Sequence, residues 1–596
     1  MAVSELRLRP LGLLTAAGLA LLPLVAVADV LQEASQRFQP IWSAGGMVAS
    51  QEAEASRVGR DVLRAGGNAV DAAVATSFAL AVTHPQAGNL GGGGFLVLWR
   101  PERLSRGRPA QPQEVVVGKG RAVTINFRES APQAAGPDLL LDASGAVDRL
   151  KATRSLLSTG VPGTVAGLLL AHRHYGRLPL ARLITPAIRL AEEGVVVSKA
   201  LADSLETSAP LLRADPESAR LFFRPEGKPY RPGERLRQPQ LGATLRRIAA
   251  EGERGFYGGP VARELVALMR RRGGLVSAED LSSYRARLQP PLVGDWRGHP
   301  VIAMPPPSSG GVTLIQLLNI LEGFDLAGLG HNSAASLHPM AEAMNLAYRD
   351  RNRWLGDPRF VAMPLERLLS QSYADDLRRT IQGRRHRPAG ELDPPAAGRA
   401  PESPNTTHLS VIDRDGSMVA TTTTLNFPYG NGVSVPGAGF LLNNEMDDFT
   451  ARPGAANAFG LVQGAANAIA PRKQPLSSMA PTLVLTPGGG PLLATGSPGG
   501  SRIITTVLQV LLNRLEHGLN LASAVAASRI HSQHRPDELA VEEGFSPDTL
   551  RLLESMGHRW RMAPAMGAAH SLEALPGGGT LGAVDQRRSE AALAGE

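Results

Sequence analysis

Thr406-Thr407-His408-Leu409-Ser410-Val411-Ile412-Asp413-Arg414-Asp415-Gly416, running on into the threonine-dense residues 417–426, is the stretch from which the fold can be read. β-Branched and aliphatic residues stand on both sides of Asp413-Arg414-Asp415-Gly416, which predicts a hairpin with strands over 406–412 and 417–426. Counting back from the turn places Thr406 opposite Thr423 or Thr424, depending on whether Gly416 forms a bulge. A threonine hydroxyl inside a chain is a poor nucleophile because it has no base of its own. If the Asn405–Thr406 bond is cut, Thr406 gains a free α-amine that can take its hydroxyl proton. The reference pKa of such an amine lies near about 8, so a useful share is neutral at physiological pH.

Working outward, Thr495-Gly496-Ser497-Pro498-Gly499-Gly500-Ser501 precedes an amphipathic helical pattern carrying Ile503, Ile504, Val507, Leu508, Leu511 and Leu512. A helix entered through glycines presents bare backbone N–H groups, which suit a phosphate, a carboxylate or the oxyanion of acyl transfer. Toward the N-terminus a short strand over 46–49 leads to a helix over 54–65, stopped by Gly66-Gly67-Asn68. A second helix over 69–82 is apolar nearly all round, which predicts a buried position. Asn89-Leu90-Gly91-Gly92-Gly93-Gly94 then introduces a strand over 95–99. Residues 101–121 read as an extended loop before a strand over 123–127. Residues 163–379 read as helical, with an amphipathic piece over 314–321. Residues 383–404, rich in Pro, Arg and Ala, are the most linker-like part of the interior. No internal repeat is present.

Composition sets the class. Hydrophobic residues at 43% and charged residues at 19% describe a globular chain, and 596 residues suffice for a large core. There is no cysteine, which excludes disulfides, a thiolate nucleophile and a cysteine metal site. The net charge of +8 is spread along the chain without an aromatic-interleaved basic motif, so nucleic-acid binding is not expected. Arg7 and Arg9, the apolar run over 11–25 and Ala26-Val27-Ala28 read as a secretory signal cleaved before Asp29. No later apolar run is long enough to span a bilayer. The expected address is periplasmic or secreted.

The ordered set of motifs resembles the γ-glutamyltransferase family (γ-glutamyl transpeptidase, glutathione hydrolase) of the N-terminal nucleophile hydrolase superfamily. The resemblance is carried by AGNLGGGGF at 87–95, NFRE at 126–129, TTHLSVIDRDG at 406–416, LLNNEMDDF at 441–449, PLSSMAPT at 475–482 and TGSPGGSRI at 495–503. It covers residues 46–587, nearly all of the expected mature chain.

This resemblance implies an α/β fold, a four-layer αββα sandwich assembled from one autoprocessed precursor. Cleavage between Asn405 and Thr406 would leave a large subunit, 29–405, and a small one, 406–596, intertwined as a heterodimer. In this reading Thr406 attacks the γ-carbonyl of a γ-glutamyl amide such as glutathione. Thr424 bonds the nucleophile, and Gly499 and Gly500 supply oxyanion N–H groups. The acyl-enzyme is released to water or to an amino acid or peptide amine. Arg128, Ser477 and Ser478 would bind the substrate carboxylate, and Asn426, Glu445 and Asp448 its ammonium, pairings that suit a bidentate guanidinium and acidic acceptors. Relatives carry either Glu or Gln at the position of Glu445. No cofactor and no metal are implied.

Two positions depart from the family pattern. Phe459 stands where bacterial relatives with a lid loop often carry tyrosine, so the aromatic cover survives without its hydroxyl. Asn126 stands where many relatives have aspartate, beside Arg128. Other motifs carry less: the glycines at 91–94 lack the Lys-Ser/Thr of a phosphate loop, and Gly496-Ser497-Pro498 is no nucleophile elbow. His531 and His534 are spaced for one helix face but have no third ligand in sequence. The competing readings are a glutaryl- or cephalosporin-type amidase, which needs no ammonium site, and an unprocessed protein that only binds γ-glutamyl peptides.

Overall fold

The hairpin forms as the turn chemistry requires. In the computed structural model, which describes residues 38–104, 110–392 and 406–596, strand Thr407–Ile412 pairs antiparallel with Met418–Thr424. Ile412 faces Met418 and Thr407 faces Thr423, with no register shift, so the line of pairing continues to Thr406 and Thr424. Gly416 takes the left-handed backbone (φ 83°) that closes the turn. The Asp413 carboxylate accepts hydrogen bonds from Asp415 N and Ser417 N, and also from Ala69 N at 2.9 Å. One acidic side chain thus closes the hairpin and docks it on the first turn of the helix Ala69–Thr83.

Around this hairpin an eight-stranded sheet is built in the order Ala592–Gly595, Met47–Ser50, Thr407–Ile412, Met418–Thr424, Gly93–Pro101, Gly120–Phe127 and Val115–Val117, with Arg287–Gln289 also beside Gly120–Phe127. A seven-stranded sheet faces it, in the order Ile41–Ser43, Thr580–Val584, His570–Ala574, Pro491–Thr495, Thr482–Leu485, His299–Ala303 and Leu292–Trp296. Along strand Gly93–Pro101, Leu96 and Leu98 enter one core while Phe95, Val97 and Trp99 enter the other, the period-two alternation of a strand covered on both faces. The first core holds the helices Ala53–Arg64, Ala69–Thr83 and Thr164–Tyr175 against the eight-stranded sheet. The second holds both inner sheet faces together with the helices Gly310–Leu321, Ala334–Trp354 and Ile503–Leu515. The architecture is therefore the four-layer αββα sandwich.

Helix Ala69–Thr83 is buried at every residue, as its uniform apolarity demands, and Asn68 caps it with a reciprocal bond from Asp71. Two expectations are corrected. Residues 101–121 are not simply a loop: Val115–Val117 forms a strand, and its neighbour runs over Gly120–Phe127. The stretch 163–379 is not wholly helical, because Leu292–Trp296 and His299–Ala303 form a hairpin within it. Its two turn residues, Arg297 (φ 49°) and Gly298 (φ 86°), both take positive φ, the backbone twist that a two-residue hairpin favours. Helical residues on either side obscured that short alternation. The secretory signal at 1–28, the mature start at Asp29, Asn405 and most of the linker-like segment lie outside the described residues. The part of that segment that is described ends in the short helix Ala389–Leu392. Among the described residues no helix is long and apolar enough to cross a membrane.

Candidate active site

Thr406 is buried at the head of its strand, 8% exposed, and with Thr424 it lines one narrow pocket between the sheets. The strand register explains the juxtaposition: two β-branched hydroxyl residues at facing ends of a hairpin are held side by side by the ladder itself. Thr424 Oγ1 accepts a hydrogen bond from Asn426 N at 2.8 Å. Asn426 adopts φ 74°, which turns the chain out of the strand, and its side-chain amide donates to Asn444 O at 3.0 Å.

The same pocket gathers Arg128, Glu445, Asp448, Ser477, Ser478, Phe459 and Gly500. The seven come from five separate segments of the chain. About 20 Å³ of it is free, room for one water. Gly499 (φ 132°) and Gly500 (φ 57°) hold backbone conformations that side-chain-bearing residues rarely adopt. They lead into the turn Gly500–Arg502 and the helix Ile503–Leu515. The Phe459 ring lies so close that a Cβ on Gly500 would stand 2.7 Å from it. Phe459 packs edge-on to Phe427 with ring centroids 5.3 Å apart, and its backbone N–H is held by Asn457 Oδ1 at 3.0 Å.

Arg128 is fully buried and decides the electrostatics. Its guanidinium bonds directly to Glu445 and Asp448, while its Nε donates to Pro475 O at 3.2 Å and Glu129 lies 3.6 Å away. Burial by itself would lower the basicity of this group, but Glu445, Asp448 and Glu129 outweigh it and hold the guanidinium protonated. Burial pushes Glu445 and Glu129 above the usual carboxylate range, and Arg128 opposes the shift. The residues expected for the two ends of a zwitterionic substrate thus bond one another across the pocket. Asn126 does not touch the guanidinium. Its Oδ1 accepts from Arg128 N at 3.0 Å and its Nδ2 donates to Gln474, so it fixes the backbone of Arg128 while Glu445 and Asp448 hold the charge.

Three residues of the site escaped the sequence reading. Arg351, from the helix Ala334–Trp354, donates to Ser478 Oγ and Ser309 Oγ, both at 2.9 Å, and lines the pocket. Burial lowers its pKa to about 10, which leaves it charged at neutral pH. No local signal marks it, because 127 residues separate it from Ser478. Glu129 could have been found, since it closes the NFRE motif. Asp447 accepts from Ala458 N at 3.2 Å, immediately before Phe459, and burial pushes its pKa up to about 7. Ser477 is placed by its neighbours in turn, its Oγ accepting from Met479 N at 3.1 Å.

His531 and His534 do not share a helix face. His531 ends a two-residue strand and bonds Thr505, while His534 sits at φ 71° and bonds Asn345. The apparent spacing failed because His531 ends a strand and the residues after it are not helical.

A strand-initial threonine inside an αββα sandwich, beside a helix start entered through glycines, defines the N-terminal nucleophile hydrolase class. A family model described as Gamma-glutamyltranspeptidase matches residues 55–595. The glutathione hydrolase proenzyme of Escherichia coli (strain K12) is 47% identical over 559 residues, covering 94% of this chain and 93% of that protein. The crystal structure of a cephalosporin acylase from Bacillus halodurans superposes with a TM-score of 0.79 at 27% identity, over 94% of this chain and 97% of that one. A chain of Helicobacter pylori gamma-glutamyltranspeptidase is 39% identical with a TM-score of 0.53, over 58% of this chain and 96% of its own. The chain belongs to the gamma-glutamyltranspeptidase family.

Proposed function

We propose that this protein is an autoprocessing γ-glutamyl hydrolase and transpeptidase acting on glutathione and related γ-glutamyl amides. The observation that carries this reading is the pairing of Thr406 with a pocket whose charges match an α-amino acid. In maturation the Thr406 hydroxyl adds to the carbonyl of Asn405 and the peptide nitrogen leaves, giving an ester. Water hydrolyses that ester to a carboxylate on 29–405 and a free amine and hydroxyl on 406–596. The amine then serves as base for turnover. The hydroxyl attacks the γ-carbonyl, and the leaving amine takes up the proton the base removed. Water or an acceptor amine next displaces the Thr406 oxygen.

A γ-glutamyl group brings one carboxylate and one ammonium. Its carboxylate takes the place of Glu445 and Asp448 on Arg128, and its ammonium takes the place of Arg128 on those two acids. Ser478, backed by Arg351, gives the carboxylate a second donor, and Ser477 lies beside it. Asn426 supports the ammonium side. This exchange keeps buried charge paired throughout, which matters because an unpaired buried charge is costly. Gly499 and Gly500 N–H groups stabilise the oxyanion, and Phe459 covers Gly500. Residues 1–28 act as the export signal in this reading, which places the mature enzyme in the periplasm or outside the cell.

Intact mass and N-terminal sequencing of the purified protein test the proposal: two chains, one beginning at Thr406, are expected. A single uncut chain would mean the binding-protein reading. Similarity to a cephalosporin acylase keeps a second amidase reading in view. Glutaryl anilide has no ammonium, so a preference for it over γ-glutamyl anilide would favour that reading.

A further inference from the structure

Away from the nucleophile, four imidazole and carboxylate groups converge where the end of the described large-subunit segment crosses the C-terminal part of the chain. His338 and Glu342 stand one turn apart on the helix Ala334–Trp354. The ligand atoms of His338, Glu342 and His558 all lie within 4.8 Å of one another, and all three side chains are buried. His386 joins them, with its Nδ1 2.5 Å from Glu342 Oε1. We propose that His338, Glu342 and His558 form a binding site for one divalent transition-metal ion, zinc by donor type, with His386 holding Glu342 from outside.

Two of the three proposed ligands, His338 and Glu342, are already oriented from behind. His338 Nε2 lies 2.6 Å from Gln382 O, so that nitrogen carries the proton and Nδ1 turns its lone pair inward. His386 Nε2 lies 3.1 Å from Asp537 Oδ1, leaving Nδ1 toward Glu342. Glu342 accepts from Arg387 N through its other oxygen at 3.3 Å. Backbone carbonyls and carboxylates behind imidazoles are the usual outer partners of metal-bound histidine. Two imidazoles and one carboxylate, with a fourth position for water, suit a tetrahedral zinc site.

The fit needs one small adjustment. His338 Nδ1 and His558 Nε2 are 2.7 Å apart, whereas two nitrogens on one zinc stand roughly 3.3 Å apart at bond lengths near 2.0 Å. A modest ring rotation supplies the difference. The placement also has a consequence, which rests on the cleavage proposed above. His338 and Glu342 precede residue 406 and His558 follows it, so a bound ion would clasp the two subunits.

The test is calorimetric titration of untagged, chelator-treated protein with zinc sulfate, on wild type and on Thr406→Ala, with metal content read by mass spectrometry. One zinc per molecule in both is expected, with affinity falling at least tenfold in His338→Ala and His558→Ala and unchanged in His331→Ala. Zinc should raise the melting temperature of wild type and leave that of His558→Ala unmoved. Absorption-edge spectroscopy of the wild-type zinc form should show imidazole nitrogen in the coordination shell, which keeps the proposal testable if a variant fails to fold. No binding, or binding that both histidine variants leave intact, would overturn it and leave a purely hydrogen-bonded histidine chain. Zinc bound equally by both proteins while wild type stays a single uncut chain would leave the site sound and the cleavage reading failed; zinc bound by Thr406→Ala and not by wild type would overturn the clasp.

Discussion

At Thr406 the chemistry depends on a backbone event and not on a neighbouring side chain. The substitution Thr406→Ala is expected to yield one uncut chain with no γ-glutamyl turnover, read by intact mass and an anilide assay; a cleaved or active variant would remove the assignment. Asp448 is the sharper test of specificity. It shares Arg128 with Glu445, and truncating one partner of a buried pair costs about 2 kcal/mol or more. Asp448→Ala should therefore lower kcat/KM on γ-glutamyl anilide by roughly 30-fold or more and on glutaryl anilide far less. Equal losses on both would show that Asp448 does not read the ammonium.

At the scale of elements, the glycine-entered helix start and the cover over it work as a unit. Gly500 sits at φ 57° under the Phe459 ring, so Gly500→Ala must strain the backbone or lift the ring. Misplacement on the order of an ångström can cost about 10²-fold in rate. A fall of that order in kcat, with the melting temperature nearly kept, is the expected result, and an unchanged kcat would remove the glycine from the oxyanion site. Asp447 links the cover to the short helical turn Glu445–Asp448 through Ala458. Its folded pKa of about 7 lies above its ordinary 3.8, so the native state holds its proton more tightly than the unfolded chain. That contribution is fully present below the ordinary value and is lost as pH rises through the folded one, at most about 1.4 kcal/mol per pH unit. Asp447→Asn should thus gain stability relative to wild type between pH 4 and about 7, as melting curves across that range would show. A constant difference would place the proton elsewhere.

For the whole molecule, the strands that follow residue 406 lie in the middle of the eight-stranded sheet, between Met47–Ser50 and Gly93–Pro101. The C-terminal strand Ala592–Gly595 lies beyond Met47–Ser50. Cutting before Thr406 breaks one peptide bond and no ladder, so native mass spectrometry should find the two chains as one species that separates only in denaturant. Spontaneous separation in native buffer would contradict the interleaved sheet.

Much of this architecture was legible locally. The hairpin, its register to within one residue, the buried helix Ala69–Thr83 and the glycine-led helix start each follow from turn chemistry or periodicity within about twenty residues. The strands over 287–303 were not, because short alternations among helical neighbours give too few repeats to fix a period. By itself the sequence determined the hairpin that carries Thr406 and the buried helix beside it, since turn chemistry and apolar periodicity are encoded residue by residue, while the sandwich was implied by the family resemblance. Only the tertiary structure decided which charges meet. Arg128 finds Glu445 and Asp448 across 317 and 320 residues, and Arg351 reaches Ser478 across 127. Burial removes the water that would otherwise satisfy these groups, so each must take the partner that the packed layers place within reach.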